Sequence, residues 1–136
     1  MKVAFYKGDE VGGVYDKVVS YWISGKYTHV ELWTSGGWRY VASPTHGVAC
    51  IQEPVNIDEW DVIDIGYRFP DAEFNAAQLI GCKYDYLGVF GFVFRPARGK
   101  DSRWFCSEFI AHCLGFSEPW RYDPAILHDI LNNNQL

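Results

Sequence analysis

The sequence predicts an α+β domain in which a small antiparallel sheet, encoded mostly in the first half, packs against helices encoded mostly in the second. Three observations predict it. Stretches rich in β-branched and aromatic residues, punctuated by Gly, Pro and Ser, dominate up to residue 67. Beyond "RFPD" the apolar period becomes helical. The 136 residues, 49% hydrophobic and 18% aromatic, suffice for one buried core, and no linker, repeat or low-complexity segment divides them. Residues 1–136 are therefore read as a single domain.

The elements follow in order. "VAFYKG" reads as a strand, and "YDKVVSYWISG" as a helix with Val18, Val19, Trp22 and Ile23 at helical spacing and Gly25 as a left-handed cap. "YTHVELWTS", "GGWRYVAS", "GVACIQEP" and "DEWDVIDIGY" read as strands, with Gly36 and Gly37 as a hairpin turn. Asp71 caps "AEFNAAQLIG", whose stripe starts with Phe74, Ala77 and Gln78. "YDYLGVFGFVF" is short and apolar, "FCSEFIAHCLGF" is a helix ended by Gly115, and "DPAILHDILN" begins with an Asp cap and Pro at the first helical position.

Composition excludes several function classes. A formal net charge of −5 opposes general nucleic-acid binding, which needs a cationic footprint on phosphates. The N-terminus lacks a signal-peptide core, and no apolar run approaches the roughly 20 residues that span a bilayer, so a cytoplasmic protein without membrane insertion is expected. Four cysteines, Cys50, Cys82, Cys106 and Cys113, read as free thiols. "HVE" matches half of a zinc-deaminase site, but the Pro-Cys-x-x-Cys half is missing and no Cys-x-x-Cys exists. No metal or other cofactor is expected.

Chemistry concentrates at "SRWFCSEFIAHC". Phe105, Phe109, Ile110 and Cys113 share a helical face, and Cys106 lies in the first turn, where unpaired N–H groups and the helix dipole stabilise an anion. A thiolate there is a nucleophile, and the same N–H groups can receive an oxyanion. Cys113, mid-helix, fits a small buried hydrophobe, as do Cys50 and Cys82.

Of four histidines, His29 stands on the best-defined strand, where alternation puts Tyr27, His29, Glu31 and Trp33 on one face and Val30 and Leu32 on the other. His112 points away from Cys106 around the helix and His128 belongs to a later surface helix; both are expected to be solvated, and His46 lies on a loop. Glu31, two residues on, is the choice to orient the imidazole. A two-residue Gly36-Gly37 turn would set Pro44 opposite His29, so that Ser43 or Thr45 would need a bulge to take that role. Arg95, Arg98, Lys100 and Arg103 precede Cys106 and either form a solvated loop or attract an anionic substrate. Trp104 and Tyr86 are candidate pocket walls; Tyr84 and Asp85 adjoin them. Trp22, Trp33 and Trp60 read as core.

The order "THVEL", "YDYLG", "WFCSEF" resembles the circularly permuted papain-like cysteine hydrolases related to the NlpC-type cell-wall peptidases, over residues 27 to 110. The resemblance implies a permuted papain-like fold, Cys106 as nucleophile and His29 as base. Members often carry the third polar residue on the strand after the histidine, at positions 41–44 here, and this sequence departs from that pattern. Three functions follow: a hydrolase of amides in peptidoglycan-type peptides, with Cys106, His29 and Glu31 catalytic and Trp104, Tyr86 and Arg103 on the substrate; an acyltransferase or thioesterase on a lipid or thioester; or a binding module that keeps only the fold. The expected partner is a peptide or acyl substrate, and a phage product of this type reaches the wall after lysis or within a virion.

Overall fold

The computed structural model describes residues 1–14, 16, 19, 25–85 and 103–133. Five strands, β1 (Lys2–Tyr6), β2 (His29–Trp33), β3 (Arg39–Ser43), β4 (Gly47–Ile51) and β5 (Trp60–Asp64), form a wholly antiparallel sheet in the order β4-β3-β2-β1-β5. The expected strands are all present. Beside them lie a short helix α1 (Gly8–Val11), α2 (Ala72–Gln78), a two-residue parallel pair β6 (Lys83–Tyr84) and β7 (Arg103–Trp104), α3 (Cys106–Cys113) and α4 (Pro124–Asn132). Among the described residues no helix is long and apolar enough to cross a membrane. The helix expected over 15–25 lies largely outside the described residues, although Val19 is buried in the core.

Period-two alternation decides where the core sits. Val3 and Phe5 of β1 pair with Leu32 and Val30 of β2, and all four are fully buried in one cluster with Phe109 and Ile110 of α3 and Leu127 and Leu131 of α4. Burying each such side chain contributes about 1.5–3 kcal/mol. The helix α3 packs on β2, and Ser107, Glu108 and Ala111 are buried as well as the predicted apolar face. Gly115 ends α3 at φ 79°, and Asp123 caps α4 by accepting the Ile126 N–H at 2.8 Å, with Pro124 at the first position.

Three local expectations are corrected. Asp71 stands at the N-cap of α2 without a side-chain capping bond, and α2 buries Ala72 and Ala76 while Phe74 is exposed. The small residues let this short helix approach α3, a choice made by packing. Second, the β2–β3 connection is no two-residue hairpin: a 3₁₀ turn, Ser35–Gly37, lies inside it, with Gly36 and Gly37 both at positive φ and the Thr34 N–H bonded to the Trp38 carbonyl. Leu32 consequently pairs with Tyr40 and Trp33 with Arg39, and the same register carried along the strands sets Ser43, not Pro44, opposite His29. Third, neither helical histidine is fully solvated. His112 is half-buried with its ring centroid 4.9 Å from that of Trp104, and burial pushes its pKa down. His128 packs on Phe5 and Tyr27, at 5.0 and 4.7 Å between centroids.

Candidate active site

The helix α3 begins at Cys106, in the first turn as its sequence predicts. Its N-cap, Phe105, offers its carbonyl to the Phe109 N–H at 2.9 Å, and the Glu108 carboxylate accepts the Phe105 N–H at 3.4 Å. The first-turn N–H groups have no carbonyl one turn behind them. Because α3 lies on β2, this end of the helix comes to the start of the strand, close enough for Cys106 to raise the His29 pKa. Cys106 has no exposed surface, and the His29 side chain is 19% exposed.

His29 Nε2 is 3.2 Å from Glu31 Oε1. Glu31 is itself held firmly. Arg39 Nη1 donates to both carboxylate oxygens at 2.9 and 2.7 Å, and the Trp33 indole N–H donates to Oε2 at 2.7 Å. Glu31 and Arg39 are buried, at 4% and 8% exposure, so this is a desolvated ion pair with a satisfied acceptor. The pair follows from register, since Trp33 and Arg39 are cross-strand partners and Glu31 shares their face.

Electrostatics follow the contacts. Burial works against a charged imidazole at His29, but the hydrogen bonds and negative charge of Cys106 and Glu31 outweigh it and push the pKa up to about 10. Burial likewise works against the Glu31 carboxylate; hydrogen bonds from His29 and Trp33 and the charges of His29 and Arg39 nevertheless hold it below the usual range. The remaining thiols differ in kind. Burial pushes the Cys113 thiol far up, and burial with the charge of Glu73 raises Cys50 despite a hydrogen bond from Tyr40. All four cysteines are free.

A cleft of about 220 Å³ opens beside His29. Tyr6, Asp16, Thr28, Ser43, Trp60 and Tyr84 wall it, and Thr28 Oγ1 donates to Asp16 at 2.7 Å. Tyr84, at 6% exposure, also packs on Phe105 at 5.9 Å between centroids, which ties the cleft to the start of α3. Ser43 is spoken for: its Oγ lies 3.3 Å from His46 Nδ1, whose Nε2 is 3.2 Å from Glu53.

The sequence candidates therefore divide. Cys106, His29 and Glu31 come together. Trp104 does not wall the cleft; it is buried in β7 against His112, with its indole N–H lacking a partner among the described residues. Arg103 is exposed on β7, opposite Lys83. Tyr86, Arg95, Arg98 and Lys100 lie outside the described residues, as does most of "YDYLGVFGFVF". Sequence reading missed Arg39, although a lone arginine in the apolar strand "WRYVAS" was a signal for a buried counter-charge. Tyr6, Asp16 and Thr28 gave no such signal, since each is ordinary in its own element.

No family model, curated protein or solved structure matches the chain. The fold and these contacts are thus the basis for a functional reading. Among the described residues no group of three or more His, Cys, Asp or Glu side chains is arranged to hold a metal ion.

Proposed function

We propose that the protein is a cysteine hydrolase of the permuted papain-like kind, related to the NlpC-type peptidases, that cleaves an amide bond through an acyl-enzyme. The observation that carries this reading is the placement of Cys106, at the first turn of α3, near enough to His29 to raise its pKa, with Glu31 3.2 Å from the imidazole Nε2. A thiol, a base and an orienting carboxylate in that sequence of contacts form the constellation nucleophilic acyl transfer needs.

Glu31 takes Nε2, which leaves Nδ1 to serve the sulfur. His29 accepts the Cys106 proton, and the thiolate attacks the amide carbonyl carbon to form a C–S bond. The oxyanion is received by first-turn N–H groups of α3. The imidazolium, sustained by the carboxylate of Glu31, gives its proton to the amide nitrogen, the C–N bond breaks and the amine leaves. Neutral His29 then removes a proton from water as the resulting hydroxide adds to the thioester; the C–S bond breaks, the carboxylic acid leaves and the imidazolium returns its proton to the sulfur. Substrate approaches through the cleft, where Tyr6, Trp60 and Tyr84 offer aromatic walls and Asp16 a negative charge. A peptide-like ligand suits that mixture, and the stem peptides of peptidoglycan are the class proposed.

Mass spectrometry after incubation with acylating probes of peptide and of lipid type tests the assignment. A mass increment on Cys106, abolished in Cys106→Ala and His29→Ala, is expected with the peptide probe. Acylation of another cysteine, or none, overturns the hydrolase reading, while exclusive reaction with the lipid probe moves the substrate class to acyl thioesters.

A further inference from the structure

A second cavity lies away from the dyad. It measures about 520 Å³ and lies at the opposite end of β2, walled by Trp33, Trp38, Pro54 and Val55, with Lys2 and Arg39 bringing positive charge. That volume falls within the range of about 300–1,000 Å³ typical of small-molecule sites. Trp38 remains 46% exposed, a large apolar surface left at the cavity mouth.

The charges facing the cavity do not balance. Glu53, the one acid among the described lining residues, is engaged by His46 at 3.2 Å, and Lys2 has no ion pair among the described residues. Arg39 spends Nη1 on Glu31, while its Nε, in a side chain more than nine-tenths buried, has no partner among the described residues. A buried guanidinium nitrogen without an acceptor is costly and favours an arriving anion.

We propose that this cavity is a second ligand site, for a small amphiphile with a flat apolar body and one anionic group. The body lies against Trp33 and Trp38, where aromatic faces gain from stacking as well as burial. The anion meets Lys2 and the Arg39 guanidinium. Its contents also reach the dyad: Trp33 and Arg39 are the two donors that hold Glu31, each at 2.7 Å, and Glu31 holds His29 at 3.2 Å. A ligand that turns either donor alters the carboxylate that orients the imidazole. The inference does not rest on turnover by Cys106.

Calorimetry and tryptophan fluorescence with 2-naphthoate, and with neutral 2-naphthamide of the same shape, test it on the full chain. Naphthoate is expected to bind at least about tenfold more tightly than the amide, and Trp38→Ala and Lys2→Gln each to weaken it about tenfold. Both side chains lie at the surface and outside the dyad, so the variants should fold and keep basal activity. Saturating naphthoate should also shift the ring resonances of His29, in Cys106→Ala as in the wild type. Equal affinity for the amide, binding indifferent to both variants, or no saturable binding at millimolar naphthoate would overturn the proposal.

Discussion

Glu31 reaches the imidazole of His29 from two positions along the same strand, at 3.2 Å, and is clamped there by Arg39 from the neighbouring strand. The orienting group and its counter-charge therefore come from different strands, and the second could be supplied only by sheet pairing. Because the carboxylate is shared between catalysis and a buried ion pair, its removal has two consequences.

Glu31→Gln should lower both activity and stability. The amide can still meet His29, but it leaves the buried Arg39 guanidinium without its counter-charge, a loss on the order of 3 kcal/mol. Urea denaturation should show a lower midpoint, and kcat/KM for acylation of Cys106 should fall about ten- to a hundredfold. An unchanged midpoint would mean that the ion pair contributes nothing.

The stability supplied by His29 should disappear at alkaline pH. Its folded pKa is raised from 6.5 to about 10, so the contribution is complete below about pH 6.5 and is lost as pH rises towards 10. The difference in unfolding free energy between wild type and His29→Gln should therefore narrow over that window. In Cys106→Ala the imidazole, followed by NMR, should titrate lower, since the sulfur is one of the two groups raising it. A midpoint that stays put or climbs would contradict the contact.

Iodoacetamide should modify Cys106 before Cys50 or Cys113, read by peptide mapping at neutral pH. Burial opposes the thiolate at both of the others, and Cys113 should be the slowest. Cys106 is also buried, so the reaction requires its cover to part. First labelling at Cys113 would move the nucleophile elsewhere.

Gly8→Ala should disturb the cleft from a distance. A Cβ at Gly8 would overlap the Thr28 side chain, which donates to Asp16 and precedes His29 in the chain. The expected cost is about 1–3 kcal/mol, with a fall in kcat/KM. Thr28→Ala, which removes the hydroxyl oxygen that the new Cβ would meet first, should recover part of the stability lost in the double variant, though not the bond to Asp16.

What the sequence by itself determined was local. The strand stretches, the start of α3 at Cys106, its end at Gly115 and the Asp123-Pro124 start of α4 are each set by a few adjacent residues, through alternation, terminal N–H groups and backbone freedom. Glu31 could be chosen beside His29 for the same reason, because residues two apart on a strand share a face. The tertiary structure decided everything that depended on what lay across. One 3₁₀ turn at Ser35–Gly37 moved the register by a residue and set Ser43, in place of Pro44, in line with His29, while bringing Arg39 to Glu31. Packing likewise set buried Trp104 against half-buried His112 and left Phe74 outside. Local propensity reaches only a turn or two along the chain, whereas register and burial are set by partners distant in sequence, whose positions a single strand does not encode.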